Sequence, residues 1–293
     1  MPIGRVIKAY NSFFYVQTNE NLITCKLRGK FKKKQGVYPG DCVNIGLLPD
    51  GTGVVEELLP RASLLKRPLV ANVDQVVLTF AAAEPDPHPL LVSRFLVLAE
   101  WSGIANVIVC INKCDLGGKA ADVCALCESA GYRVLLVSAQ TGAGVEALKA
   151  VLAGHTTCFA GPSGVGKSSL LSAVTGRALQ TGQVSEKIRR GRHTTRVAEL
   201  LPFADDSDGY IVDTPGFSAM ELDGIDEQQL PALFPEMQPY LGCCRFAPCS
   251  HSHEPDCAVK EAVAKGFIRQ ERYDAYLTIL EEIREAAARR KKY

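Results

Sequence analysis

The sequence predicts an α/β chain in three parts: an N-terminal β-barrel of the OB type, a central and mostly parallel sheet around a phosphate-binding loop, and a helical C-terminal segment gathered on a metal. Three observations predict this. Residues 4–59 fall into five short strand-like runs, residues 72–212 alternate strand and helix patterns on either side of Gly161-Pro162-Ser163-Gly164-Val165-Gly166-Lys167-Ser168, and a C-x4-C-x-H-x5-C array runs from Cys244 to Cys257. The expected boundaries are 1–68 for the barrel, 69–219 for the central domain and 220–293 for the metal-binding part.

In the first part, strands are expected over 4–9, 13–17, 22–27, 41–47 and 52–59, separated by Asn, Gly, Pro and Asp. Five strands in so short a span suit a small closed barrel. The chain's net charge of +1 hides an asymmetry, since residues 1–68 carry eleven Lys and Arg against five Asp and Glu. A basic module suggests a polyanionic partner. The positive charge gathers in one loop, Arg28, Lys30, Lys32, Lys33 and Lys34, beside Phe31. Such a loop can grip phosphates while Phe31 or Tyr38 stacks on a base, which points to RNA; a spacer with a solvated loop is the alternative.

From residue 72 the period changes. Strands are expected over 73–81, 105–111, 132–137, 157–160, 197–203 and 209–212, and helices over 89–101, 119–131, 144–152 and after Lys167. The glycine-rich loop therefore joins a buried strand to a helix N-terminus. There, inward-turned backbone N–H groups and the helix dipole hold a polyphosphate, Lys167 reaches the outer phosphates, and the Ser168 hydroxyl, followed by Ser169, ligates Mg²⁺. Cys124 and Cys127, inside a helix pattern without a second pair nearby, read as packing residues.

Three further motifs select the base and sense the γ-phosphate. Asn112-Lys113-Cys114-Asp115 ends an apolar strand, and a carboxylate at Asp115 accepts from the N1 and N2 donors of guanine, which adenine lacks. Ser138-Ala139 follows another strand and can offer a backbone N–H to guanine O6. Asp213-Thr214-Pro215-Gly216 ends a third, placing Asp213 to hold Mg²⁺ and the Gly216 N–H to meet the γ-phosphate. The motifs run in an unusual order, because base recognition precedes the phosphate loop. In Ras-like GTPases the loop comes first, so the central domain is expected to be a circularly permuted P-loop GTPase domain.

Cys244, Cys249, His251 and Cys257 form a closed tetrahedral ligand set for one structural Zn²⁺, with Cys243 and His253 as spare candidates. Beyond them an amphipathic helix is expected over 271–293 through Tyr273, Tyr276, Leu277, Leu280 and Ile283, ending in a basic tail. No stretch of eighteen apolar residues occurs and the first residues lack a signal-peptide core, so a cytoplasmic protein with reduced thiols and no membrane partner is expected.

Taken together, the basic barrel, NKCD before GPSGVGKS before DTPGF, the segment Gly191-Arg192-His193-Thr194-Thr195 and the cysteine-histidine array resemble the RsgA (YjeQ, EngC) family of circularly permuted bacterial GTPases. The resemblance covers essentially the whole chain. It implies an OB-type RNA-binding domain, a GTPase stimulated by the small (30S) ribosomal subunit with its 16S rRNA during late maturation, GTP and GDP as ligands, and a zinc-binding C-terminal domain; a monomer is expected. Ras orients its attacking water with a glutamine after DxxG, where this chain has Phe217-Ser218. The resemblance nominates His193 instead, with Thr194 or Thr195 completing the Mg²⁺ shell; an RNA contact is the other role open to His193. The alternative function is a nucleotide-bound, non-hydrolysing RNA-binding assembly factor. An ATP-dependent enzyme is disfavoured by Asp115.

Overall fold

Alternating buried and exposed side chains build the N-terminal barrel in the computed structural model. The model describes residues 2–28, 36–66, 69–176, 198–203, 209–217, 222 and 224–290, with the backbone alone for Lys66 and residues 213–217. Strands β1 (Ile3–Tyr10), β2 (Phe13–Gln17), β3 (Leu22–Leu27), β4 (Cys42–Leu47) and β5 (Gly53–Leu58) pair in the order β1-β2-β3-β5-β4. Pairing of β4 back onto β1, from Ile3↔Asn44 to Arg5↔Cys42, closes the barrel. Only β3 and β5 run parallel, which is the Greek-key order of an OB fold. Val6, Phe14, Val16, Cys25, Val43, Ile45 and Val55 fill the interior.

A short hairpin unforeseen in the sequence, β6 (Leu64–Lys66) and β7 (Leu69–Ala71), leads from the barrel to the central sheet. It is pinned at its base by Asn72, whose side chain accepts from the Ala62 N–H at 2.8 Å and donates to the Gly40 carbonyl at 2.9 Å. Arg61 adds two bonds, at 2.6 and 2.7 Å, to the fully buried Asp41 carboxylate. The Tyr38 N–H donates to the same group, so this buried charge is paired and hydrogen-bonded.

The central sheet comprises β8 (Gln75–Ala81), β9 (Asn106–Asn112), β10 (Arg133–Leu136), β11 (Thr156–Ala160), β12 (Glu199–Pro202) and β13 (Tyr210–Phe217), in the order β10-β9-β8-β11-β13-β12. All pairs are parallel except β12 with β13. Every residue of β8 and β11 is buried, as expected for strands covered on both faces. Helices α1 (Pro89–Trp101) and α2 (Ala120–Ser129) cover one face through Val92, Phe95, Leu96 and Leu126; α3 (Val145–Leu152) and α4 (Lys167–Thr175) cover the other through Leu148, Leu152, Leu170 and Val174. Helix α1 starts sharply because Pro89 presets the first turn and His88 Nδ1 accepts from the Leu90 N–H.

In a second respect the strand pattern differs from expectation. The Pro and Gly of Asp213–Gly216 read as a terminator, yet β13 runs through to Phe217, which pairs with Ala160 after an irregularity. Pairing with β12 ends at Glu199↔Asp213, so Pro215 lies beyond that ladder, where its missing N–H deprives β12 of nothing.

The barrel and the parallel sheet are continuous. Lys8 of β1 pairs with Glu199 of β12, and their side chains form an ion pair at 2.7 Å. Beside it, Arg5 donates to Thr156 Oγ1 at 2.6 Å and stacks on the Tyr210 ring. At the other end of the molecule, α5 (Ala258–Ala264) and α6 (Gln270–Arg290) pack with Phe234, Met237 and Val97 of α1. Buried residues Tyr273, Tyr276, Leu280 and Ile283 make the inner stripe of α6. The fully buried Arg272 pairs with Glu236 at 2.5 Å and lies over the Phe234 ring.

Candidate nucleotide site and metal centre

The loops singled out in the sequence emerge side by side, after the C-terminal ends of β11, β9 and β10, where an open parallel sheet presents its ligand crevice. Gly161, at φ 143°, passes so close to β8 that a Cβ would stand 2.1 Å from the Thr79 carbonyl oxygen. Gly166, at φ 86°, caps α4, and a Cβ there would meet Asn112 Nδ2 at 2.4 Å. These two positions demand glycine by conformation and by space. Between them Ser163 and Gly164 are exposed, Pro162 is half-buried and Val165 is buried. Ser168 sits half-buried in the first turn of α4, with Ser169 exposed beside it.

Lys167 arches back over the loop. Its Nζ donates to the Gly161 and Pro162 carbonyls at 2.8 and 2.6 Å, and burial lowers its pKa. An ammonium held by two carbonyls at the mouth of the loop is one movement away from a polyphosphate.

Asn112 and Asp115, members of one sequence motif, are placed differently. Asn112 is 2% exposed, donates from Nδ2 to the Val165 carbonyl at 2.9 Å and accepts at Oδ1 from the Ala139 N–H at 3.1 Å. One side chain thus ties the phosphate loop to the loop after β10. Asp115 is exposed in the single turn Cys114–Leu116, with its carboxylate turned to solvent. Lys113, at φ 59°, donates from Nζ to the Glu84 carbonyl. Ser138 is fully buried, and its hydroxyl accepts from the Thr141 N–H at 3.1 Å. Glu84 had no sequence signal, because it contributes a backbone carbonyl.

Several expected site residues lie outside the described residues: Lys30, Phe31, Lys32, Lys33, Lys34, His193, Thr194 and Thr195, together with the side chain of Asp213. Arg28 is described, 3.6 Å from Glu56 and largely exposed. Tyr38 carries the Arg61 guanidinium over its ring, so one face of that candidate stacking platform is already covered.

The metal array converges as its spacing predicts. Cys244 Sγ, His251 Nδ1 and Cys257 Sγ are 3.5, 3.4 and 3.7 Å apart, and the four ligand atoms including Cys249 lie within 4.8 Å of one another. Metal–sulfur bonds of about 2.3 Å and metal–nitrogen bonds of about 2.0 Å give tetrahedral edges of about 3.8 Å between sulfurs and about 3.5 Å between sulfur and nitrogen. The three measured edges match those values, so the donor set fits a tetrahedral thiophilic ion. Burial pushes the Cys249 thiol up to about 12 and the His251 imidazole down, which leaves the Cys249 thiol dependent on a cation for ionisation. His251 occupies a left-handed backbone position, and its carbonyl accepts from the Tyr273 hydroxyl at 2.9 Å. The neighbouring Ser250 carbonyl accepts from Tyr276 at 2.6 Å. Cys243 and His253 are exposed outside the cluster.

Comparison with known proteins matches this architecture along its length. The family model described as RsgA GTPase matches residues 58–223, and that of the RsgA N-terminal domain matches residues 3–55. A relative from Moorella thermoacetica, named small ribosomal subunit biogenesis GTPase RsgA, is 48% identical over 283 residues, spanning 96% of this chain and 97% of its own. The chain belongs to the RsgA GTPase family. A second relative of the same name, from Alkaliphilus metalliredigens, is 43% identical across 97% of this chain and 98% of its own. The crystal structure of YjeQ from Thermotoga maritima superposes with a TM-score of 0.85 at 37% identity, covering 96% of this chain and 98% of that one. YloQ, described as a circularly permuted GTPase, gives 0.82 at 34% identity over 98% and 96%. The permuted order of the RsgA fold is plain in the sheet here: the chain enters at β8, runs outward to β10, and only then returns to the centre for β11 and its phosphate loop.

Proposed function

We propose that this chain hydrolyses GTP on the small ribosomal subunit during late 30S maturation, in the cytoplasm and as a monomer, with nucleotide state coupled to subunit binding. The supporting observation is the shared crevice. Asp115 projects to solvent where guanine donors can reach it, and Asn112 holds that loop in register with Gly161–Ser168. Family membership and the relatives' names support the client, and the basic barrel, with Arg28 and the lysines at 30 and 32–34, supports rRNA as its contact. The functional division follows 1–68, 69–219 and 220–293.

Lys167 and backbone N–H groups of the loop neutralise and orient the phosphates, while the Gly216 N–H meets the γ-phosphate. Ser168, Asp213 and one of Thr194 or Thr195 offer hard oxygen donors suited to Mg²⁺, which supplies charge neutralisation at the β- and γ-phosphates when bound. His193 positions the attacking water once the subunit orders its segment. Cys244, Cys249, His251 and Cys257 hold one Zn²⁺ as a structural centre, with no position left for catalysis. Hydrolysis of GTP and ATP measured side by side, with and without purified 30S subunits, tests the proposal. GTP-selective turnover accelerated by subunits is expected; turnover indifferent to subunits, or equal on ATP, overturns it.

A further inference from the structure

Beside the metal array lies a carboxylate that is not one of its ligands. Glu254 follows His251 closely in sequence but stands outside the group of converging ligand atoms. Its two oxygens straddle the turn that carries the imidazole. Oε1 accepts from the Ser250 N–H at 2.8 Å and from the Ser250 hydroxyl at 2.7 Å, and Oε2 accepts from the Ser252 N–H at 3.1 Å. His251, between those two serines, is buried and holds φ 55°.

A residue with a Cβ keeps that left-handed conformation only where its surroundings impose it. Here they do so from both sides. On the carbonyl side, Tyr276 donates to Ser250 at 2.6 Å and Tyr273 to His251 at 2.9 Å, from two stacked rings of α6. On the N–H side, Ser250 and Ser252 are both held by Glu254. Only an ionised carboxylate offers two acceptor oxygens and no donor, so a glutamine there would turn an amide N–H against one of the backbone donors. Charge does not explain the choice. Three thiolates and an imidazole around a divalent cation already carry net negative charge and would repel another anion. What the carboxylate supplies is geometry: with the turn closed, His251 Nδ1 stands 3.5 Å from Cys244 Sγ and 3.4 Å from Cys257 Sγ.

We infer that Glu254 is a positioning residue for the metal centre: by bridging the Ser250 and Ser252 N–H groups, it holds His251 in the left-handed turn that delivers Nδ1 to the thiols. It prepares the one nitrogen ligand and takes no bond to the metal. This rests on the reading of Cys244, Cys249, His251 and Cys257 as a metal centre.

Zinc affinity of the full-length chain, by competition with a chromogenic chelator, tests it in a double-mutant cycle of Glu254→Ala and His251→Asn. Asparagine tolerates the left-handed backbone while removing the imidazole. Glu254→Ala is expected to weaken zinc binding about 10–100-fold in the wild-type background, the usual effect of losing a group that orients a metal-binding histidine, and Glu254→Gln by less. In the His251→Asn background the same change should cost less than about threefold, since no imidazole is left to place. A carboxylate that merely stabilised the fold would cost the same in both backgrounds, so equal losses, or no loss in either, overturn the inference. If His251→Asn holds no zinc, cobalt-loaded Glu254→Ala decides: visible absorption bands shifted from those of wild type mark a displaced imidazole, and bands identical to wild type overturn the inference. If Glu254→Ala does not fold, Glu254→Gln takes its place in both measurements. Wild type that binds neither zinc nor cobalt would instead sink the metal-centre reading.

Discussion

Replacing Asn112 by Ala tests whether the nucleotide loops form one unit. Its amide makes two bonds, to the Val165 carbonyl at 2.9 Å and from the Ala139 N–H at 3.1 Å, and the residue is 2% exposed. Truncation strands the buried Val165 carbonyl and leaves the part-buried Ala139 N–H without its partner, at about 1–3 kcal/mol each, so the total loss should be about 2–6 kcal/mol. That is a large part of the roughly 5–15 kcal/mol of a typical domain, and urea unfolding should show it as a lower midpoint at unchanged slope. GDP affinity should fall by about tenfold or more, because the loop carrying Asp115 is no longer tied to the phosphate loop. The geometry also predicts coupling. A Cβ at Gly166 would stand 2.4 Å from Asn112 Nδ2, so Gly166→Ala should be less harmful in the Asn112→Ala background than in wild type. The residual penalty there reflects φ 86°. Stability within about 0.5 kcal/mol of wild type, or strict additivity of the pair, would refute the tie.

Asp115→Asn should lose GTP by several kcal/mol and gain xanthosine triphosphate, whose 2-oxo group accepts from the new amide; unchanged GTP affinity sinks the base assignment. Metal analysis of protein purified without chelator should find about one zinc per chain, and chelation should unfold the C-terminal segment before the central sheet, read by hydrogen exchange of α6 against β11. His193→Ala should lower subunit-stimulated kcat by roughly 10²-fold with GDP affinity nearly unchanged; a parallel fall in both makes the histidine structural. Lys8→Ala removes a half-exposed ion pair and should leave Tm within a degree or two, since such pairs contribute about 0–1 kcal/mol. It should nevertheless weaken stimulation by 30S subunits while basal hydrolysis holds, and equal stimulation would show that the barrel does not act through β12.

The parts of this chain that announce themselves in sequence are those governed by local rules. The five barrel strands follow from alternation such as Val6, Phe14 and Val16 facing inward, and α1 from Pro89 ahead of an apolar run. The array from Cys244 to Cys257 carried its own geometry in its spacing. What stayed hidden depends on partners distant in sequence. The β6–β7 hairpin is short and leans on Asn72 reaching Gly40, a contact no periodicity encodes. The short turns at Leu230–Leu233 and Pro235–Tyr240, rich in proline, offered no helical repeat. Within the site, NKxD marks Asn112 and Asp115 alike, and only the fold separates a buried brace from an exposed carboxylate. Lys113 was obscure for the same reason, as its contact is with the backbone carbonyl of Glu84.

Permutation changes what the phosphate site can pull on. In this order the strand bearing Asp213–Gly216 is the last of the sheet, so the chain leaves it for residues 222–228 and the C-terminal helices. Glu227 there pairs with Arg284 of α6 at 2.6 Å, and Arg94 of α1 pairs with Glu282 on the same helix. The segment holding His193, Thr194 and Thr195 re-enters the sheet at β12, whose first residue, Glu199, is held by Lys8 of the barrel. Each of the two segments proposed to meet the γ-phosphate therefore ends on a different module, one on the barrel and one on the helices beside the cysteine-histidine cluster. A surface that fixes both modules restricts both segments at once, and the reverse must also hold: a γ-phosphate that orders the segments alters the affinity of the modules for that surface by the same factor. An unpermuted domain of the same sheet would place its DxxG strand in mid-sequence, with its exit committed to the next helix of the domain. Moving the chain ends to this edge of the site is what would give the flanking modules a hold on hydrolysis under the proposed coupling.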